Sequence, residues 1–296
     1  MQLEGEIAVV TGAGAGVGRG IALALGERQV KVVVADIEAD RAEAVAQEIY
    51  DHGGDAIGVA CDVRDLACVE ALADAAWDRY GDVSIIWNNA GVAVTSAGGV
   101  IDGDPVDLEW VLSVNLVGAW NGCSVFGKRF VERGAPAWIV NTASEHALGF
   151  VHPGQGFYTA SKHALLGLSD VIRHELPEHV GISVFCSGLV ESELWNAARN
   201  RPTPIAPELA PVAEVAKAVI GQGMPAVDAG RKAVAGLAAE EFLIVTHPTS
   251  RGVAERRFEE IAKAFDSQAP YEEGCERYDV NAVAASVMAQ LEEAQA

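Results

Sequence analysis

The chain has 296 residues, 50% hydrophobic and 21% charged, enough apolar mass for a full core and too little charge for a disordered polymer. Its 42 acidic against 21 basic residues give a formal charge of −21, which argues against binding nucleic acid through phosphates and means that any anionic ligand must be gripped locally, by backbone N–H groups or a helix terminus. No apolar run approaches the ~20 residues of a membrane span, and Met1-Gln2-Leu3-Glu4 lacks a basic leader, so a cytoplasmic protein without a membrane partner is expected. The five cysteines are odd in number and lack metal-ligand spacing, which reads as reduced core thiols and no metal site.

Glu6-Ile7-Ala8-Val9-Val10 is a short β-branched run that ends in Thr11-Gly12-Ala13-Gly14-Ala15-Gly16-Val17-Gly18, after which Ile21, Leu23, Ala24 and Leu25 keep helical spacing. Strand, glycine loop and helix in this order let a pyrophosphate approach the backbone where helix N–H groups point; a plain tight turn is the other reading. Lys31-Val32-Val33-Val34-Ala35 is a second strand and closes on Asp36, about twenty residues past the loop, where a dinucleotide fold places its ribose-binding acid. A carboxylate there accepts from a 2′-hydroxyl and repels a 2′-phosphate. With Ile37 next and Arg19 the one cation nearby in sequence, NAD is expected over NADP.

A helix over roughly 39–52 leads to a third strand, 55–61, and then to Asp62-Val63, where Asp62 is either the N-cap of the next helix or an adenine contact. Strand four, 83–87, runs into Asn88-Asn89-Ala90-Gly91. Residues 92–104 read as a loop, and one helical pattern then runs from Pro105 towards Phe130 with Asn115 in its middle. Strand five is 137–142, a helix is expected at about 156–178, strand six at 182–186 and strand seven at 241–246, with further helices near 252–265 and 280–294. Strands alternating with helices imply β-α-β units and hence an α/β, Rossmann-like doubly wound parallel sheet of about seven strands with helices on both faces. Residues 1–265 are expected to form that single domain, with a proline-rich lid over about 189–228 that carries Pro202, Pro204, Pro207 and Pro211; 266–296 would be an extension whose last helix docks on a neighbouring subunit or on its own core.

The helix at 156–178 carries Tyr158 and Lys162, four residues apart and so on one face. Lowering a phenol from ~10 to ~7 takes about 4 kcal/mol, which a unit charge roughly 4 Å away supplies at an effective dielectric of ~20, against desolvation. Such a pair can act as a proton acid/base near neutrality, although the same spacing also arises on solvated helices.

Taken in series, Thr11-Gly12-x-x-x-Gly16-x-Gly18, Asp36, Asp62-Val63, Asn88-Asn89-Ala90-Gly91, Asn115, Ser144 and Tyr158-x-x-x-Lys162 resemble the short-chain dehydrogenases/reductases over residues 5 to about 192. The resemblance implies Tyr158 as acid/base, Ser144 on the substrate oxygen, Lys162 on the nicotinamide ribose and Asn115 fixing a water of a proton relay. It implies a cofactor site of Gly12, Gly16, Val17, Gly18, Asp36, Ile37, Asp62, Val63, Asn89, Ala90, Gly91, Gly188, Val190 and Ser192, with Asn88 beside it. Two departures stand out. Ser187-Gly188 replaces the family's usual Pro-Gly, which leaves that backbone looser, and Ser144 and Tyr158 lie one residue further apart than usual, so the intervening loop must bulge.

The expected function is NAD-dependent interconversion of a secondary alcohol and a ketone, in the direction of oxidation, by a homo-oligomer of two or four chains. The closing stretch loosely resembles the tails of members that oxidise aryl alcohols, including lignin-derived Cα-dehydrogenases. A hydrophobic or aromatic substrate is expected against Phe150, Phe157 and Trp195, with His146 and His152 as polar contacts. The alternatives are the same fold with other chemistry (an NADPH ketoreductase, epimerase or dehydratase) and a dinucleotide sensor without turnover.

Overall fold

A computed structural model describes residues 1–95, 99–203 and 210–295. Met1–Val253 form one compact unit and Ala254–Ala296 a second.

The first unit is built on seven parallel strands, β1 (Ile7–Thr11), β2 (Lys31–Asp36), β3 (Ala56–Ala60), β4 (Ile85–Asn88), β5 (Ala137–Thr142), β6 (Val180–Cys186) and β7 (Leu243–Val245), in the order β3-β2-β1-β4-β5-β6-β7. Alternate side chains leave the sheet on opposite faces, so β1 sends Val9 to one core and Ala8 and Val10 to the other. On the second face lie α1 (Gly16–Glu27), α2 (Ala39–Asp51) and α8 (Ala226–Ala238). The buried stripe of α2 is Ala42, Val45, Ala46 and Ile49, a helical period that its sequence already displays. The first face carries α3 (Leu66–Tyr80), α4 (Pro105–Leu112) and α5 (Ala119–Arg133), with Trp77, Phe126 and Phe130 in mutual ring contact. Parallel strands buried on both faces read as unbroken apolar runs, which is why β1, β2 and β5 stand out in the sequence.

Strand order reverses between β1 and β4, and the crevice at their carboxyl ends is where an open α/β sheet takes a ligand. Asp65, not Asp62, caps α3 by accepting from the Ala67 N–H at 2.9 Å, which removes the capping reading of Asp62. The expected single helix from Pro105 to Phe130 is interrupted by a π-helical turn, Ser113–Gly118, that contains Asn115. Such wide turns concentrate at functional sites.

Between Ser144 and α6 (Gly156–Glu175) the chain makes a 3₁₀ turn, Glu145–Leu148, and passes through Gly149 at φ +119°. The 189–228 stretch holds a 3₁₀ segment (Leu194–Asn200), α7 (Ala210–Ile220) and the start of α8; Pro204 and Pro207 lie outside the described residues. Helix α8 has no counterpart in the sequence reading. It crosses α1 so closely that a Cβ on Gly230 would lie 2.2 Å from the Gly20 carbonyl oxygen, and one on Gly20 would lie 2.0 Å from that of Ala226.

The second unit contains the remainder of α9 (Arg251–Gln268), a 3₁₀ turn at Cys275–Tyr278 and α10 (Val280–Gln295). No described helix is long and apolar enough to cross a membrane.

Candidate active site

A cavity of about 530 Å³ opens over the carboxyl edge of β1 to β6, and its wall takes in most of the residues singled out in the sequence. Gly12 (φ +61°) and Gly16 (φ +51°) use the left-handed backbone that glycine alone adopts without strain. Close approach fixes the others: a Cβ on Gly18 would lie 2.2 Å from the Gly12 oxygen and 2.4 Å from Asn89 Nδ2. Asn89 in turn donates from Nδ2 to the Thr11 and Gly12 carbonyls at 3.0 and 3.1 Å, which ties the β4 exit to the glycine loop. Val17, Ile37, Val63, Ala90, Gly91, Gly188, Val190 and Ser192 line the same wall. Asn88 does not: its Nδ2 donates to Asn141 Oδ1 at 2.9 Å, below the floor.

The Asp36 carboxylate accepts from the Gly14 N–H at 2.8 Å and the Glu38 N–H at 3.0 Å, and so faces the mouth of the glycine loop. Gly14 was not marked out by the sequence motif, yet a Cβ there would lie 2.9 Å from Asp36 Cγ and 2.8 Å from Arg41 Cβ. The cation beside Asp36 is therefore Arg41. Arg19 instead pairs with Glu48 on α2. Arg41 is engaged elsewhere, with Glu193 at 2.7 Å and Glu38 at 2.9 Å, while Arg199 reaches Glu38 at 2.8 Å. These pairs tie the segment after Ser192 to the start of α2. At the far side of Asp36, Asp62 is gripped bidentately by Arg64, which holds its carboxyl below the ordinary range.

Helix α6 brings Tyr158 and Lys162 to the cavity, beside Ser144 from the β5 exit. Lys162 is buried; its Nζ donates to the Thr142 carbonyl at 2.8 Å and stands 5.5 Å from the Tyr158 ring centre. Burial pushes the ammonium down to about 8, and no carboxylate among the described residues pairs with it. The expectation of an acidified phenol is reversed for the protein's own groups. Burial pushes Tyr158 up to about 12, opposed by a hydrogen bond from the Ser144 hydroxyl. A lysine 5.5 Å from the ring does not outweigh the removal of a phenolate from water.

Asn115 does not line the cavity; it braces it. Its Oδ1 accepts from the Val92 N–H at 2.8 Å, and its Nδ2 donates to the Val92 carbonyl at 2.9 Å and to Ser161 Oγ at 3.0 Å. The π turn thus delivers one amide that joins the β4 exit to the helix bearing Tyr158 and Lys162.

Of the substrate candidates, His146, Phe150 and His152 lie on the cavity wall. His146 is buried, with Nδ1 2.8 Å from Thr159 Oγ1 and its ring edge-on to Tyr158 at 5.1 Å, and burial pushes it down to about 4. Phe157 and Trp195 are not on that wall. Phe157 fills the space that Gly103 leaves, and Trp195 carries the Lys217 ammonium over its ring at 4.9 Å. The apolar wall that the sequence did not mark comes from Trp110, Val114, Leu194, Val215, Val219 and Ile220.

The looser turn expected at Ser187-Gly188 is held by His247, which follows β7. Its Nδ1 lies 3.0 Å from the Gly188 N–H and its Nε2 3.0 Å from the Leu189 carbonyl. These partners lie 59 and 58 residues away in the chain, so nothing local announces them.

Residues 6–203 match the family model of the short chain dehydrogenases. The chain is 36% identical over 196 residues, 66% of its length and 72% of the relative's, to a 1-deoxy-11-beta-hydroxypentalenate dehydrogenase of Streptomyces avermitilis. A short-chain dehydrogenase/reductase from Burkholderia phymatum, solved in complex with NAD, superposes with a TM-score of 0.84 at 30% identity, covering 92% of this chain and 99% of that one. The apo form of LigO from Sphingobium sp. strain SYK-6 does so with a TM-score of 0.77 at 29% identity, over 96% and 98%. Motif order, sheet topology and the Ser144, Tyr158 and Lys162 cluster agree with these matches, and the chain belongs to the short-chain dehydrogenases/reductases, a family of oxidoreductases.

Proposed function

We propose that the protein is an NAD-dependent dehydrogenase that interconverts a secondary alcohol and a ketone, with Tyr158 as the proton acid/base. The observation that carries this reading is that Ser144, Tyr158 and Lys162 line the same cavity as the glycine cradle and Asp36. The cradle fits a dinucleotide pyrophosphate, because Cβ atoms at Gly12, Gly14 or Gly18 would meet backbone or Asp36 within 3 Å and nothing bulkier leaves the amides exposed. When bound, the nicotinamide supplies the hydride acceptor or donor. The chain's own part is the proton: in oxidation Tyr158 Oη takes the hydroxyl proton as the carbinol C–H is lost, and in reduction it returns that proton to the alkoxide oxygen. Ser144 orients the substrate oxygen, Lys162 holds the cofactor ribose, and Asn115 keeps the relay geometry behind them.

Preference for NAD rests on Asp36, whose carboxylate would oppose a 2′-phosphate, and on Arg41, whose guanidinium is already engaged by Glu38 and Glu193. Initial rates with the two cofactors over a panel of aryl and alicyclic alcohols test this, and kcat/KM is expected to favour NAD by about a hundredfold. Asp36→Ala should cut that preference to below about tenfold. Equal use of both cofactors by the unaltered protein would overturn the assignment, and turnover of any kind excludes a pure sensor.

The cavity wall of Trp110, Val114, Phe150 and the α7 valines suits an apolar or aromatic body, with His146 and His152 meeting polar groups near the reacting carbon. Buried, unpaired Cys61, Cys123 and Cys186 suit a reducing, cytoplasmic compartment. The homo-oligomer reading rests on large apolar side chains left exposed around α5, with Trp120 46% exposed and Val117 and Val131 exposed as well. Trp120→Glu is accordingly expected to lower the molar mass seen by light scattering to that of one chain; an unchanged mass would move the interface elsewhere.

A further inference from the structure

We propose that His247 is a positioning residue for the cofactor's nicotinamide end, doing by hydrogen bonding what a proline at position 187 would do covalently. The inference deepens the dehydrogenase reading and rests on it. Ser187, Gly188, Val190 and Ser192 form the wall that would meet the nicotinamide carboxamide, and Ser187 confers none of the φ restriction a proline imposes.

His247 engages two consecutive residues of that wall, and the two contacts agree chemically. The Gly188 N–H can only donate, so Nδ1 must carry a lone pair; the Leu189 carbonyl can only accept, so Nε2 must carry the proton. One neutral tautomer satisfies both, and Thr246 Oγ1, 2.8 Å from Nδ1, is compatible with it as a second donor. The imidazole lies so close that a Cβ on Gly188 would stand 2.6 Å from His247 Cγ, which makes glycine the residue that admits the ring. The same turn reaches the other active-site loop: Ser250 Oγ donates to the Glu145 carboxylate at 2.5 Å, and the Glu145 N–H donates to the Ser187 carbonyl at 2.8 Å. The short stretch after β7 thereby brackets the loop bearing Ser144 and the loop bearing Ser192. Downstream, the bracketed backbone stays in register through the Val190–Met224 bridge, with the Met224 N–H on the Leu189 carbonyl at 2.9 Å.

The test compares the unaltered protein, His247→Ala, His247→Gln and the double variant Ser187→Pro/His247→Ala. The readouts are the NADH dissociation constant, the split between cofactor KM and kcat, and hydrogen exchange over residues 187–190. Among the described residues the Ser187 N–H donates to no backbone carbonyl, and Cys186 before it is extended, so proline fits there. Loss of both contacts should weaken NADH about tenfold and raise cofactor KM by about as much, with kcat changed less than about threefold and faster exchange at Gly188 and Leu189. Glutamine presents an acceptor and a donor and should recover most of the affinity; the added proline should recover it without any side chain at 247. Unchanged affinity in His247→Ala, or a loss that neither glutamine nor proline recovers, overturns the proposal. If the unaltered protein binds no dinucleotide, the dehydrogenase reading itself falls and takes this role with it, a result that is distinct because it appears without any substitution.

Discussion

Tyr158→Phe is expected to lower kcat for alcohol oxidation by about a thousandfold or more while leaving the NADH dissociation constant within about threefold. The substitution removes one oxygen and keeps the ring, so the edge-on contact with His146 at 5.1 Å and the Lys162 ammonium 5.5 Å from the ring centre persist. Every dinucleotide contact assigned to the glycine cradle and Asp36 lies on other elements. What disappears is the group proposed to exchange a proton with the substrate oxygen, together with the partner of the Ser144 hydroxyl. Positioning alone still aligns substrate and cofactor, so some turnover should survive. Stopped-flow hydride transfer, read at the NADH absorbance, separates a slowed chemical step from slowed release. A rate within tenfold of the unaltered protein would remove Tyr158 from the proton's path.

Strands β1, β2, β4 and β5 were legible because they are buried on both faces and therefore apolar with little interruption, and the Tyr158–Lys162 pair because its spacing is local. What escaped depends on partners far along the chain. The π turn around Asn115 follows from the amide's need to reach Val92 and Ser161, 23 and 46 residues away, and no periodicity within 105–130 encodes that. Arg41 replaces Arg19 beside Asp36 because the first turn of α2 folds back over the glycine loop, a matter of loop geometry that sequence distance misjudges. Helix α8 carries a helical stripe of Ala229, Gly230, Ala233, Val234 and Leu237 that was overlooked at the end of the proline-rich stretch read as a lid, and its small residues are what lets it touch α1. The Tyr158 direction failed for another reason. A pairwise Coulomb argument counted the attraction of Lys162 and underweighted desolvation, which here lifts the phenol and depresses the lysine together, moving both towards neutrality.

That joint movement gives the second large effect, on Lys162→Met. Because Lys162 releases its proton near pH 8 while the phenol holds its own to about 12, the pair as a whole loses one proton near 8. A positive nicotinamide ring can only favour that loss, so oxidation by the unaltered protein should rise with pH to a plateau whose midpoint lies at or below about 8. With methionine at 162 the phenol titrates alone, and the rate should fall by about 10²- to 10³-fold and keep rising up to pH 10 without a plateau. Stability should move the opposite way. The folded-state value of about 8 lies below the ordinary 10.5, so between these the folded chain binds fewer protons than the unfolded one and stability rises with pH; below 8 the full penalty of about 3 kcal/mol is present. Methionine removes that penalty but orphans the Thr142 carbonyl, at a cost of about 1–2 kcal/mol. Lys162→Met should thus be more stable than the unaltered protein by about 1 kcal/mol at pH 7, an advantage lost by pH 10.5, where lysine is neutral in the folded chain and half-neutral in the unfolded one. Thermal unfolding at the two pH values checks this, and a variant that is inactive but destabilised at pH 7 would show that the ammonium is not held there against its solvation.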